Sequence, residues 1–385
     1  MTNDSRLWIE RVALTDFRSY PSLVVEARPE PAVLVGPNGA GKTNLLEALS
    51  LLAPGQGLRR APFSELARAG GGGGWAVAAR VHSLLGSCDI GTGIVAGQTG
   101  TNRQVRIEAR QQSGSGVLAD YVEMVWVTPA MDGLFTGPAS ERRRFLDRLV
   151  LCFDHGYRAI AGRFERAMTS RNRLLADGVR DNAQLEGFEL QMAEAGVAIA
   201  AARAEAVASL AAIIETRRAR DPRSAFPWST LALEGAMEAE LARRPAVEVE
   251  DDYVRTLRQS RERDRAAGRT LDGPHRSDLV VGHGPKAVAA HLSSTGEQKA
   301  LLLGLVLAHA ELVAERQEGA APILLLDEIT AHLDALRRAA LFREILRLGA
   351  QAWMTGNDRA AFAALEGRAL FVELSDGHAT VCRQP

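Results

Sequence analysis

Gly36-Pro-Asn-Gly-Ala-Gly-Lys-Thr43 is the stretch that decides the fold. It fills the pattern GxxxxGK[ST] completely, and its surroundings are those the pattern requires. Ala32–Val35 before it is an apolar run that reads as a buried strand. Leu45, Leu46, Leu49 and Leu52 after it recur at helical spacing over Asn44–Leu52. A glycine-rich turn with an accidental lysine would need neither flank. Gly36, Gly39 and Gly41 let the backbone curl around Pro37, Asn38 and Ala40 so that N–H groups face phosphate oxygens at a helix start. Lys42 then reaches the outer phosphates, and the Thr43 hydroxyl suits Mg²⁺. The expected ligands are ATP and Mg²⁺.

Three downstream segments extend this reading. Ile323–Leu326 is a four-residue apolar strand ending in Asp327-Glu328, which places two carboxylates at the carboxyl edge of a sheet, where open α/β sheets bind ligands. Asp327 is expected to hold Mg²⁺ through a water, and Glu328 to orient or deprotonate an attacking water as the catalytic residue. Ser293-Ser-Thr-Gly-Glu-Gln-Lys299 begins a helix whose apolar run is Leu301–Leu307. Read alone it is an ordinary capped helix start. After a phosphate loop and a Walker B strand it resembles the ABC signature, in which Ser294, Thr295, Gly296 and Glu297 would face ATP held by a second protomer, with Lys299 adding charge nearby. Thr330-Ala-His-Leu-Asp334 resembles the D-loop, with Leu333 and Asp334 registering two heads; His332 has no second His or Cys at ligand spacing and reads as a surface or interface residue.

Between these motifs the chain changes character. Leu7–Leu14 and Ser22–Ala27 read as strands, and the glycine-rich Arg68–Leu118 suits antiparallel strands and turns, with Trp75–His82 and Gln104–Ala109 alternating and Gly70–Gly74 as a flexible hairpin tip. From Ser140 helical patterns take over. Leu185, Phe188, Met192, Ala195, Ile199, Ala202, Ala206, Leu210 and Ile213 recur at steps of three and four, a coiled-coil-like seam. A helix over Ala183–Arg220 would be about 57 Å long, long enough to protrude as an arm, with the stretch containing Ile160, Phe164, Met168 and Leu175 as its antiparallel partner. Asp251–Arg265 reads as a charged, exposed helix, and Leu370–Leu374 with Ala379–Cys382 as a terminal hairpin around Asp376–Gly377. The expected architecture is an α/β ABC-type P-loop ATPase head (residues 1–139 and 272–385) interrupted by a helical, coiled-coil-like arm over 140–271.

Composition bounds the rest. A chain of 385 residues exceeds one small core, and 46% hydrophobic with 24% charged residues argues for folding throughout. A net charge of −1 gives no global attraction to nucleic acid, so DNA contact must come from local basic clusters, and the sequence does not single out which residues make it. Lysine stands only at Lys42, Lys286 and Lys299; taking those 3 from 46 basic residues leaves 43 arginines, so lysine is retained where it is needed. Cys88, Cys152 and Cys382 form no CxxC pair, and neither a metal site nor a disulfide framework is indicated. Without an apolar run of about 18 residues or a leader-like start, the reading is cytoplasmic, with no membrane partner.

More specific marks remain: Leu14-Thr-Asp-Phe-Arg-Ser-Tyr20, Arg142-Arg-Arg-Phe-Leu-Asp147 and Gly273-Pro-His-Arg-Ser-Asp-Leu279. With them the chain resembles the RecF family of DNA-repair ATPases, related to structural-maintenance-of-chromosomes heads, over nearly its whole length. The resemblance implies an ATP-dependent homodimer bridged from P-loop to signature and slow, DNA-stimulated hydrolysis. It also implies binding to single-stranded, gapped or junction DNA and help in recombinase loading with RecO- and RecR-type mediators. It places Arg18 by the nucleotide, bracing phosphate or stacking on adenine. By residues alone, Phe17 and Tyr20 read as core aromatics, and Arg142, Arg143 and Arg144 as a solvated helix face or a DNA or partner contact. His275 and Arg276 have no independent chemical role. Two departures stand out. Ser277 stands where the family usually has a second acid, and Met354-Thr-Gly-Asn-Asp358 stands where transporter ATPases carry a switch histidine. Asn357 could serve as a hydrogen-bonding sensor there. The alternatives are an SMC-like chromosome-organising ATPase and a transport-coupling ABC ATPase, the latter opposed by the missing histidine and the long helical insertion.

Overall fold

A computed structural model describes residues 6–97, 103–178, 182–375 and 378–382. The chain begins with β1 (Trp8–Phe17), β2 (Tyr20–Glu26) and β3 (Ala32–Val35), which runs into the phosphate loop and α1 (Lys42–Ser50). There follow β4 (Trp75–Ser83), β5 (Gly86–Ile94), β6 (Gln104–Ile107), β7 (Arg110–Gln111) and β8 (Met124–Val127). The middle holds α2 (Ala139–Leu151), α3 (Tyr157–Ala176), α4 (Asn182–Arg220), β9 (Ser229–Glu234), α5 (Ala236–Leu241), α6 (Ala246–Gln259), α7 (Arg261–Ala267), β10 (Asp278–His283) and β11 (Val288–Ala289). The last part holds α8 (Thr295–Arg316), β12 (Ile323–Leu326), α9 (Ala335–Leu348), β13 (Ala352–Gly356), β14 (Leu370–Ser375) and β15 (His378–Cys382).

These elements form two compact units. The first is Met1–Asp132 with Asp221–Pro227 and Ser294–Pro385; the second is Gly133–Arg220 with Trp228–Ser293. Among the described residues the first unit has two six-stranded sheets. One, ordered β2-β1-β4-β5-β6-β7, is antiparallel. Its strands alternate buried with exposed positions, as β4 does from Trp75 to Val81, because one face meets the core. The other is ordered β15-β14-β3-β13-β12-β8 and is parallel except for β15. β3, β12 and β13 are buried at every position, as strands covered on both faces must be. Leu45, Leu46 and Leu49 of α1 join a core that includes Leu14, Phe17 and Tyr20 from one sheet and Leu34, Leu325 and Trp353 from the other. Phe17 and Tyr20 are therefore core aromatics, both fully buried. β13 lies between β3 and β12, so the strands that end in the phosphate loop and in Asp327-Glu328 flank a common neighbour.

The second unit is built around α4, which has 39 residues. The expected seam is buried at Leu185, Met192, Ala195, Ile199, Ala206, Leu210 and Ile213, but so are Ala193, Val197, Ala200, Val207 and Ile214 on other faces. α3 is its antiparallel neighbour as expected, and α2, α5, α6 and β9 also pack on it. Within its unit α4 is therefore a core helix packed on several sides. α4 is long and apolar enough to cross a membrane by composition, yet two of its buried charges are paired inside the unit. Glu189 meets Arg171 at 3.1 Å and Arg261 at 2.6 Å, and Arg203 meets Asp147 at 2.8 Å. Arg171, fully buried on α3, also donates to Asp264 at 2.8 Å, Thr270 at 2.9 Å and the Leu257 carbonyl at 2.7 Å. Truncating Arg171 would leave the buried Asp264 carboxylate without its countercharge, so the cluster fixes how α3, α4 and α7 align.

Other expectations shift in detail. The second compact unit extends to Ser293 and includes β10, which pairs antiparallel with β9. Gly70–Gly74 leads into β4, and the hairpin tip is Leu84–Leu85 between β4 and β5. The charged helix over Asp251–Arg265 breaks at Ser260 into α6 and α7, with Tyr253 and Leu257 buried. β14 and β15 pair antiparallel as expected, while the Asp376–Gly377 turn lies outside the described residues.

Candidate functional site

The phosphate loop takes the backbone its glycines permit. Gly36, Gly39 and Gly41 have φ of 152°, 86° and 99°, values that disfavour any side chain. Two of them are also confined. A Cβ at Gly36 would lie 2.2 Å from the Leu374 carbonyl oxygen, and one at Gly41 2.4 Å from the Tyr20 hydroxyl oxygen. Pro37, Asn38 and Gly39 are exposed, Ala40 is buried, and α1 starts at Lys42, two residues earlier than its apolar spacing suggests. The Lys42 ammonium turns back over the loop and donates to the carbonyls of Gly36 at 2.6 Å and Pro37 at 2.9 Å and to Asn357 Oδ1 at 2.9 Å. Burial pulls its pKa below the ordinary lysine range, and the carboxylates of Glu328 and Asp327 oppose that pull.

Walker B lies in hydrogen-bonding reach. The Thr43 hydroxyl donates to Asp327 Oδ1 at 3.0 Å, and Thr355 on β13 donates to the same oxygen at 2.8 Å. The Thr355 hydroxyl also accepts the Glu328 N–H at 2.7 Å. Glu328 has φ 49°, a strained value for a residue with a side chain, and this bond holds it there. Its side chain is exposed. One hydroxyl beside one carboxylate fits Mg²⁺, which binds few protein ligands and fills its shell from water and phosphate.

The signature and D-loop segments meet each other. Ser294 caps α8, and it forms a capping box with Glu297, whose Oε2 accepts the Ser294 N–H at 3.1 Å. Ser294 and Thr295 are exposed. A Cβ at Gly296 would stand 3.1 Å from the His332 carbonyl oxygen, so the start of α8 rests on the D-loop. Asp334 caps α9 by accepting the Arg337 N–H at 2.8 Å, and the carbonyl of buried Leu333 accepts from Arg338 at 2.7 Å. Lys299 is corrected: it is 2% exposed, and its ammonium points inward, 3.3 Å from the Glu328 carbonyl oxygen and 3.4 Å from Asp132. It braces the end of β12 and adds no charge to an external face.

Arg18 sits at φ 52° in the turn between β1 and β2. Its guanidinium forks onto Glu47 of α1, Nε to Oε2 and Nη2 to Oε1, both at 2.9 Å, and Nη1 donates to the Glu65 carbonyl at 3.0 Å. Arg59 approaches the same carboxylate at 3.4 Å. Glu47 is 1% exposed; sequence reasoning missed it, since an acid on a nine-residue helix reads as solvated. It fixes Arg18 against the phosphate-loop helix.

Comparison with known proteins agrees with this geometry. The family model described as RecF/RecN/SMC N terminal domain matches residues 8–365. The chain is 54% identical over 369 residues to the DNA replication and repair protein RecF of Mesorhizobium japonicum, covering 96% of each, and 54% identical over 378 residues to that of Brucella suis biovar 1, covering 97% of this chain and 96% of the relative. The chain belongs to the RecF family. Its fold matches the solved structure of the recombination mediator protein RecF-ATP in the RecFOR pathway, with TM-score 0.84 at 20% identity over 98% of both chains. It also matches an Smc head domain from Pyrococcus furiosus, with TM-score 0.55 at 17% identity over 98% of this chain and 96% of that one. The α/β ABC-type head expected from sequence is the fold observed.

The two segments of the second unit that carried the resemblance prove largely structural. Arg142 forks onto Asp278, at 2.8 and 2.7 Å, and donates to the Gly137 carbonyl at 2.6 Å. Arg143 donates to the Ser277 carbonyl at 2.6 Å. Arg144 alone of the three is exposed. Ser277 is buried, and its hydroxyl accepts from Arg203 at 2.9 Å and donates to the Pro274 carbonyl at 2.8 Å. Arg203 finds its countercharge on Asp147, at 2.8 and 3.0 Å, so a serine suffices at position 277. His275 Nε2 lies 3.0 Å from the Thr270 carbonyl, and burial lowers its pKa; its ring packs beside Phe164.

Proposed function

We propose that this RecF-family chain is an ATP-binding protein of DNA replication and repair that uses ATP to pair two copies of itself on DNA. The observation that carries the reading is the hydrogen-bonded lattice at one sheet edge. Lys42, Thr43, Asp327 and Glu328 converge there, through Asn357 and Thr355 at the end of β13. Gly36–Thr43 wraps the phosphates of ATP, Thr43 and a water on Asp327 hold Mg²⁺, and Arg18 lies beside the nucleotide. Glu328 orients or deprotonates the attacking water for a slow hydrolysis that acts as a timer. Mg²⁺ supplies charge neutralisation on the phosphates. Ser294, Thr295, Gly296 and Glu297, at an exposed helix start, meet the γ-phosphate held by a second copy, and Leu333 and Asp334 register the two heads. The dimer works in the cytoplasm on single-stranded, gapped or junction DNA, with RecO- and RecR-type mediators, to help load recombinase.

The test combines light scattering with DNA binding in a salt series. ATP with Mg²⁺ should convert monomer to dimer and strengthen binding to gapped DNA. Lys42→Ala should lose ATP, Glu328→Gln should dimerise without hydrolysing, and Ser294→Arg should bind ATP and remain monomeric. A parent chain that stayed monomeric with ATP and ignored DNA would overturn the reading.

A further inference from the structure

The Lys42 ammonium has three N–H donors and no acceptor, and the structure engages it with three oxygens. Two are carbonyls of the phosphate loop, at Gly36 and Pro37; the third is Asn357 Oδ1, at 2.9 Å. Because the ammonium only donates, Asn357 must present its oxygen there. The three acceptors differ in what they can give up. The Gly36 carbonyl belongs to a glycine whose environment admits no side chain, whereas Asn357 is an exposed residue just past β13, and its amide rotates away without moving backbone.

We propose that Asn357 is a positioning residue that competes with nucleotide phosphate for Lys42. Its amide oxygen holds the lysine head over the loop and is the one partner a phosphate oxygen replaces. The inference rests on the ATP-binding reading above. It follows that Asn357 lowers phosphate affinity, and that a phosphate on Lys42 frees its amide. Asp358 next to it caps the following turn by accepting the Ala360 N–H at 2.8 Å, so the freed amide sits at the start of an anchored segment. The contact couples phosphate occupancy to the stretch that leaves β13.

The experiment titrates the full chain with fluorescent ATP and ADP, and with adenosine as a ligand lacking phosphate. Asn357→Ala removes one charge-assisted competitor and should tighten ATP and ADP by roughly three- to tenfold, leaving adenosine unchanged. Asn357→Asp places a carboxylate against Lys42 and should weaken both nucleotides by about tenfold or more. A residue that merely supports the fold would weaken binding in both variants, so opposite signs are the diagnostic result. Asn357→Ser, too short to reach Lys42, should match alanine and serves in its place should alanine fail to fold. Weaker or unchanged nucleotide binding in the alanine and serine variants, with a parent that binds ATP, overturns the proposal alone. A parent that does not bind ATP overturns the functional reading and this inference with it.

Discussion

Replacing Thr355 by valine preserves volume and branching and deletes one hydroxyl that serves two partners. That hydroxyl donates to Asp327 Oδ1 at 2.8 Å and accepts the Glu328 N–H at 2.7 Å, inside a residue that is 0% exposed. A hydrogen bond to a charged group contributes about 1.5–3 kcal/mol, and a buried donor left without a partner costs about 1–3 kcal/mol. Asp327 keeps the Thr43 hydroxyl at 3.0 Å, which softens the first contribution. The expected loss is therefore about 3–4 kcal/mol. Glu328 adds a functional consequence, because its φ of 49° is maintained by the bond that disappears; once released, the backbone relaxes and its carboxylate leaves the sheet edge. Denaturant unfolding of the parent, Thr355→Val and Thr355→Ser measures the stability change, and ATP turnover with Mg²⁺ measures the displacement. Serine, which keeps the hydroxyl, should retain most of both. A valine variant within about 0.5 kcal/mol of the parent and with unchanged turnover would refute the bridging role.

Glu123 is buried beside Gln317, whose Nε2 donates to it, and burial pushes its carboxyl up to about 8 from an ordinary value of 4.5. The folded chain thus keeps a proton that the unfolded chain releases near pH 4.5. Its contribution is full at lower pH and is lost as pH rises towards 8, at up to about 1.4 kcal/mol per pH unit. Glu123→Gln removes that dependence, and its stability relative to the parent, followed by denaturant unfolding, should rise by about 2–4 kcal/mol from pH 5 to pH 8; a constant difference would refute the burial argument. The buried Arg103 guanidinium donates to the carbonyls of Leu51, of Ala53 at 2.8 Å and of Gly55 at 3.0 Å, where the phosphate-loop helix ends. Arg103→Leu should cost about 2–4 kcal/mol in a thermal or urea unfolding series, because a positive group no longer meets the helix carboxyl end.

The strands that carry motifs were legible because burial on both faces writes itself as an unbroken apolar run. Ala32–Val35 and Ile323–Leu326 are the observed β3 and β12, residue for residue. α4 was legible as a long helix with the right antiparallel neighbour, but its second and third buried faces were not, since Ala193 and Ala200 are read as neutral by any periodicity test. What stayed hidden was pairwise. Arg18 and Glu47 are 29 positions apart, Arg103 and Leu51 are 52 apart, and Thr355 and Asp327 are 28 apart. Apart from Asp327, each charged or polar residue taken singly reads as a solvated surface group. Lys299 misleads for the same reason: position after a signature suggests an outward charge, while its side chain follows the buried face of α8 to the Glu328 carbonyl.

The hidden pairs near the nucleotide motifs have a topological cause. Chain order runs β3, β12, β13, but spatial order runs β3, β13, β12, and nothing local in sequence announces that insertion. With strands about 4.8 Å apart, the phosphate-loop strand and the Walker B strand stand about 10 Å from one another, too far for their own residues to meet. Direct contact is possible only beyond the strand ends, where Thr43 reaches Asp327 at 3.0 Å. Within the sheet edge, only β13 can touch both neighbours. Thr355 on β13 and Asn357 just past its end reach Asp327 on one side and Lys42 on the other. Were the spatial order to follow the chain, Asn357 would face β12 alone and Lys42 would lack a partner from this segment. The stretch without a nucleotide motif of its own therefore adds, beside the Thr43–Asp327 bond, a second bridge between the two motifs.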